Sequence, residues 1–362
     1  MHKEKKMFKL KKNEAEARER ILAFWQGKSM GRPALIAYAK NKDYTWQNWE
    51  SGPMPRRQSD LIPSWHANDC RNRLNSNLYL AEAIPSVCMD YGRALVLLAV
   101  LVGGDYIYEG INPWIQPLEG VLDMKVPAFD PQHSIVKGLE ACLDAIVEVV
   151  GDNGFISTPT QIDPLTTLSL LQLQSNLCIS LLEEPEKVKA WTHDATTLFI
   201  DCYEHFYRYL AALGYTDTSA WLSVMSESRM EAVQCDFSVM LSPDMFNEFV
   251  VPDMKRITSY MDRSIWHHDG LVQFRFIEMI AALPKLKAIQ WVFTKREHPS
   301  EHINELKRLR ELGLSVYTNV HNINDAVYLT KKLGPDGLMI VLPTFEDEKD
   351  AFDAIAKIKA AV

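Results

Sequence analysis

The chain has 362 residues, 47% hydrophobic and 24% charged, the balance of an ordinary globular protein long enough to bury a large core without staples. Its formal net charge of −8 excludes a general nucleic-acid binder, which needs a basic surface. The six cysteines, at 70, 88, 142, 178, 202 and 235, include no pair separated by two residues, so ribbon and dithiol redox motifs are excluded and the thiols read as reduced ones in a cytoplasmic protein.

The opening MHKEKKMFKLKK is basic but lacks the apolar stretch of a signal peptide, and reads as a solvated tail. Residues 13–26 predict a helix with Ile21, Leu22 and Trp25 on one face, ended by Gly27. Residues 32–39 predict the first strand. Residues 40–75, rich in Trp, Asn, Pro and Arg, predict an irregular insertion, in which Trp46 and Trp49 offer an aromatic wall over a pocket or a packed loop. The run ALVLLAVLVGG (94–104) is too short to span a bilayer, which takes ~20 residues, and predicts a buried helix.

From residue 150 the pattern becomes regular. Strands are predicted at 154–160, 219–225, 231–238, 263–269, 286–293, 314–320 and 337–343. A long helical region, 163–213, follows the first of these, and amphipathic helices fill 244–261, 271–282, 299–311, 323–332 and 347–360. Alternation of this kind implies a parallel sheet with helical crossovers. With the strand at 32–39 it gives eight units and hence a single (β/α)8 TIM barrel, with an N-terminal helical extension and long insertions, over residues 1–362. An open doubly wound sheet is the alternative, but no strand is followed by G-x-G-x-x-G and no P-loop is present.

In a barrel the chemistry gathers at the C-terminal strand ends. That rule selects Glu227 after the 219–225 segment; Gln234, Cys235 and Asp236 on the next; His267, His268 and Asp269 in SIWHHDG; Gln290 and Trp291; and Tyr317, Asn319 and His321. The bland reading is that strand ends are polar because they meet water. His267 and Asp269 are two apart and share a face of an extended strand, with His268 on the other. They form either half of a site for Zn²⁺ or another divalent ion, with Cys235, Asp236 or Glu227 as third donor, or an acid–base pair. His298 and His302 in HPSEH stand four apart at a helix start, but their charged flanks read as a solvated face. The remaining cysteines read as inert buried thiols.

The stretch VQCDFSVMLSPDMFNEFVVPDM (233–254), then SIWHHDG (264–270) and LPKLKAIQWV (283–292), resembles the uroporphyrinogen decarboxylase-like superfamily, in its branch of corrinoid-linked methyltransferases and uncharacterised relatives. RERILAFWQGKSMGRPALI (18–36) and GGDYIYEGINPW (103–114) are similar to that branch as well. The resemblance covers nearly the whole chain. It implies a (β/α)8 barrel, a cytoplasmic homodimer without membrane or nucleic-acid contacts, a small methylated substrate and a corrinoid carried by a partner protein. The chain departs from the pattern in two places. The arginine-rich R-Q-A-G-R string of true uroporphyrinogen decarboxylases is missing, which argues against porphyrinogen decarboxylation. The His-x-Cys pair of the zinc methyltransferases reads His267-His268-Asp269 here, and no cysteine follows Cys235. A His/Asp site would be harder and more Lewis-acidic than a thiolate site.

Three functions follow as expectations. The first is methyl transfer between a small methylated compound and a corrinoid, with His267 and Asp269 polarising or protonating the leaving group, Asp236 orienting, Tyr317 donating a proton, and Gln234, Gln290, Trp291, Glu227 and Asn319 binding substrate. The second is a metal-independent decarboxylase or lyase using Asp236 and His267, for which Arg32 and Arg229 should converge on a substrate carboxylate. The third is a non-catalytic corrinoid or tetrapyrrole binder.

Overall fold

The structure is a computed structural model that describes residues 7–47, 61–89, 96–109 and 112–362. Its strands are β1 (Ala34–Lys40), β2 (Asn77–Ala81), β3 (Ser86–Cys88), β4 (Tyr106–Glu109), β5 (Asn112–Ile115), β6 (Phe155–Ser157), β7 (Met230–Val233), β8 (Arg263–His268), β9 (Leu286–Trp291), β10 (Ser315–Asn319) and β11 (Leu338–Val341). A seven-stranded sheet runs β2-β1-β11-β10-β9-β8-β7. All its pairings are parallel except that of the edge strand β2, which lies antiparallel to β1. β3 and β6 form a separate parallel pair, and β4 and β5 a hairpin.

Two corrections to the expected strands offset each other. The 219–225 segment is not a strand but a tight loop. An antiparallel bridge between Thr218 and Ser226 closes it, and Ala220 takes a positive φ of 48°. Its apolar residues Ala220, Leu222, Val224 and Met225 are buried, so they alternate because they fill the space beneath the cavity, not because the backbone is extended. β3, which contains only three residues, was too short to announce itself by periodicity. Exchanging one for the other leaves eight elements: β1, β3, β6 and β7–β11. Among the described residues no pairing joins β1 to β3 or β6 to β7, so a closed eight-stranded ring is not formed by hydrogen bonds.

The sheet has a packed inner face. Ala34 and Ile36 of β1, Met230 and Ala232 of β7, Ile265 of β8, Ala288 of β9, Tyr317 of β10 and Met339 of β11 meet Ala83, Ile84 and Phe155 in one buried cluster. The helix Glu14–Trp25 closes this cluster from one side with Ala17, Ile21, Phe24 and Trp25, spaced as a helix face requires. The Trp25 indole donates to the carbonyl of Met225 at 2.8 Å, tying that helix to the loop before β7. Helices at Ile303–Glu311, Ile323–Leu333 and Glu348–Lys359 cover the outer face with Leu306, Leu309, Leu329 and Ile358. The expected helix over 163–213 is broken into Pro164–Gln172, Gln174–Glu183 and Pro185–Ala212. Leu173 adopts a φ of 69° at the first break, and Glu184 precedes a proline at the second, where helical backbone is disfavoured. The insertion at 40–75 contains an unforeseen helix, Pro63–Asn75, and residues 48–60, including Trp49, lie outside the described residues. The 94–104 run forms the short helix Leu97–Leu101, all of it buried. No single helix among the described residues is long and apolar enough to cross a membrane.

Glu231 projects from the outer face of β7 into full burial. One carboxylate oxygen accepts the Ala232 N–H at 2.9 Å, and the other has no partner. Burial lifts its pKa to about 8, so the folded state holds a proton that the unfolded chain releases above its ordinary value of 4.5. Stability from this group is complete below pH ~4.5 and is lost as the pH rises towards 8. Glu231→Gln should therefore raise the Tm at pH 8 and leave it nearly unchanged at pH 4.5, as thermal melts at the two pH values would show.

Candidate active site

A cavity of about 550 Å³ opens at the C-terminal ends of the strands. Tyr38 enters it from β1, Ser86, Val87 and Cys88 from β3, Thr160 from just beyond β6, Gln234 from just beyond β7 and His267 from β8. The loop at Ser219–Ser223 supplies its floor, and Arg73, Asn77 and Tyr79 line the side nearest β2. The loop is held firmly. The Ser157 hydroxyl meets that of Thr218 at 3.0 Å and accepts the Ser219 N–H at 3.0 Å. Tyr38 Oη lies 3.1 Å from Ser223 Oγ, and the Ser223 N–H points at Tyr317 Oη, 3.4 Å away.

His267 is the central polar group. Its Nδ1 lies 2.7 Å from Oε1 of the buried Gln290. With the amide oxygen facing it, Nδ1 carries the hydrogen and donates, which leaves Nε2 as the basic nitrogen. The Trp221 ring stands edge-on to the imidazole, with centroids 5.0 Å apart. Asp236 lies near enough to be influenced by it: burial raises the Asp236 carboxyl above its usual range, His267 opposes that rise, and the charge of Asp269 adds to it. The arrangement can move one proton at Nε2.

The other expected residues are placed as follows. Gln234 and His267 line the cavity, and Gln290 reaches it through His267. Asp269 lies just past the end of β8 and is exposed, with its backbone N–H donating to Gln273. Tyr317 is buried beneath the floor, where desolvation raises its phenol well above the usual range. It is not among the residues that line the cavity, so it is not placed to donate a proton there as expected. Trp291 faces the other way. It is buried against the helices and packs on His268 with centroids 4.6 Å apart. Asn319 is engaged with backbone: its side chain accepts the Phe293 N–H and donates to the Phe293 carbonyl. His321 bonds that same carbonyl. Glu227, expected at a strand end, precedes β7 and pairs with Arg18 at 2.9 Å. It moved because its assumed strand does not exist.

Arg32 and Arg229 also miss the cavity. Arg32 lies ahead of β1 and is bonded to Glu82, and Arg229 lies ahead of β7 and is bonded to Glu204. Trp46 is exposed and is not among the lining residues. His298 pairs with Asp325 and His302 with Glu297, so that pair of histidines stitches the helix surface.

The expected metal set does not fit. No three His, Cys, Asp or Glu side chains among the described residues are grouped to hold an ion. Cys235 follows Gln234 by one residue and so turns to the opposite face. It is buried beside Thr166 and Asp163, and desolvation drives its thiol well above the usual range, which opposes the thiolate a metal would need. Residues missed by sequence reasoning are Arg73, Tyr79, Cys88 and Trp221. Three of them come from the unrecognised helix 63–75, β2 and β3. Trp221 was hidden in the misassigned strand.

No protein-family profile matches the chain, and no curated protein matches its sequence. Among solved structures it is similar to a methyltransferase from Methanosarcina mazei, with a TM-score of 0.59 and 13% identity over 95% of this chain and 98% of that one. At that identity the likeness is one of fold, and it extends over nearly the whole length of both chains.

Two outcomes follow. His268 is fully buried with neither ring nitrogen partnered, and burial lowers its pKa to about 4, with the charge of His267 contributing. The folded value is below the ordinary ~6.5, so its stability contribution is complete above pH ~6.5 and is lost as the pH falls towards 4. His268→Phe should shift the acid-unfolding midpoint to lower pH, read by tryptophan fluorescence. Cys235→Ser should leave the metal content of the purified protein unchanged; loss of stoichiometric metal would make Cys235 a ligand after all.

Proposed function

We propose that this chain is a small-molecule methyltransferase that works with a corrinoid protein, built as a single (β/α)8 barrel of the uroporphyrinogen decarboxylase-like superfamily. The nearly full-length likeness in fold to a methyltransferase supports the reading. So does the count of eight strand elements, six of them joined in one parallel array. The observation that carries the chemistry is the geometry at His267. An imidazole in the cavity is fixed at Nδ1 by a buried amide and is open at Nε2.

Methyl transfer breaks the bond between carbon and a heteroatom. The methyl group departs without the bonding pair, and the heteroatom keeps the pair and gains a proton. His267 in its protonated form supplies that proton from Nε2. Gln290 is a positioning residue that sets the ring's orientation and tautomer. A corrinoid held by a partner protein would supply the nucleophile for the methyl group. A cavity of about 550 Å³ suits a small molecule.

Methyl transfer to free cob(I)alamin, followed by the absorbance of the methylated product over a panel of methyl ethers and methylamines, tests the reading. His267→Ala should slow it by about 10²–10⁴-fold. Gln290→Glu, which places a charge on Nδ1–H, should move the alkaline limb of the rate profile, where the acid is lost, to higher pH. A panel without turnover, or turnover indifferent to His267→Ala, would sink the proposal.

A further inference from the structure

The lining of the cavity is uneven in charge. Among the described residues it includes one guanidinium, Arg73, and one imidazole, His267, and no carboxylate. The two groups come from elements that are not neighbours in the sheet. Arg73 lies in the last turn of the helix Pro63–Asn75, directly ahead of β2, whereas His267 is on β8. In the sheet, β1, β11, β10 and β9 lie between β2 and β8. Asn77, at the start of β2, puts a side-chain amide beside Arg73 on the same wall. Arg73 is also braced from behind: its Nη2 lies 2.6 Å from Asp69, one helical turn earlier, which does not line the cavity. A guanidinium anchored through one nitrogen keeps planar donors for a second oxyanion.

The other lining residues among those described are uncharged and partly aromatic. Tyr38 and Tyr79 meet edge-to-face at 5.7 Å, and the Tyr79 hydroxyl is occupied by the Leu74 carbonyl at 2.9 Å. The phenols therefore present ring surface to a ligand more than hydrogen bonds.

Resting on the methyl-transfer reading, we propose that the substrate is a carboxylate: Arg73 and Asn77 hold its carboxylate at the β2 wall, and its methyl-bearing heteroatom reaches His267. Arg73 binds and orients and takes no part in bond breaking.

Titration calorimetry of the full chain with 4-methoxybutanoate, 5-methoxypentanoate and 6-methoxyhexanoate, each beside its neutral primary amide, tests this. At least one acid should bind roughly ten-fold more tightly than its amide, since a charge-assisted bidentate pair is lost in the amide. Arg73→Met should erase that preference while leaving the melting temperature unchanged, because the side chain is half exposed. Arg73→Lys should retain part of it. Equal affinity for acid and amide, a preference that survives Arg73→Met, or no binding by any of the acids would overturn the proposal. The methyl-transfer reading fails separately. Release of CO₂ from a bound acid, with no methylated cobalamin formed, would remove that reading and keep the anchor. Methyl transfer from neutral ethers alone would do the reverse.

Discussion

The register between β8 and β9 decides what the site contains. In this parallel pairing His267 stands opposite Gln290 and His268 opposite Trp291. Because side chains alternate across a strand, the first pair shares the inner face and the second the outer. One neighbouring pair becomes a fixed imidazole at a cavity, and the other becomes a dry stack beneath the helices. A slip of one residue would exchange them. It would bury the amide of Gln290 against Trp266 and put an unpartnered indole in the pocket. The register irregularity between Ser264 and Ile265 lies at the far end of β8 from the site, so the last four residues of the strand pair without interruption.

The second constraint is the loop at 218–226. It sits where sequence pattern asks for a strand, and it converts what would be sheet into a floor. Its backbone is locked by Ser157, Thr218 and Trp25, and its side chains fill the inner core below while Trp221 abuts His267 above. Cavity depth, the burial of Tyr317 and the edge contact on the imidazole all depend on this one segment. Tyr317 illustrates the cost of reading polar strand ends as a set: its hydroxyl points at the floor's backbone, so it serves packing.

The buried titratable groups on the outer face work in opposite senses. Glu231 favours a protonated carboxyl, with a pKa of about 8, and His268 favours a neutral ring, with a pKa of about 4. The first weakens the fold as pH rises and the second as it falls. Both follow from placing a polar residue on the face of a strand that packs against helices. Neither group lies in the cavity, so their titration bears on stability rather than on turnover.

Sequence by itself determined the elements whose signal is local. The strands at β7–β11 and the helices after them announce themselves by period and length, and the opposite orientations of His267 and His268 follow from alternation alone. Gln234, next to Cys235, follows the same rule. What sequence could not carry was any placement that depends on distant contacts. A three-residue strand has no period, so β3 and Cys88 were invisible. A compact loop can mimic an alternating strand, so 219–225 misled, and Glu227 was assigned to the wrong end with it. Arg73 reached the cavity only because an unforeseen helix docks beside β2, and Arg32 and Arg229 miss it because they precede β1 and β7, at the opposite strand ends. Strand polarity is written into neighbouring residues, but which charges meet in a cavity is fixed by elements dozens of residues apart, and only the tertiary structure decided that.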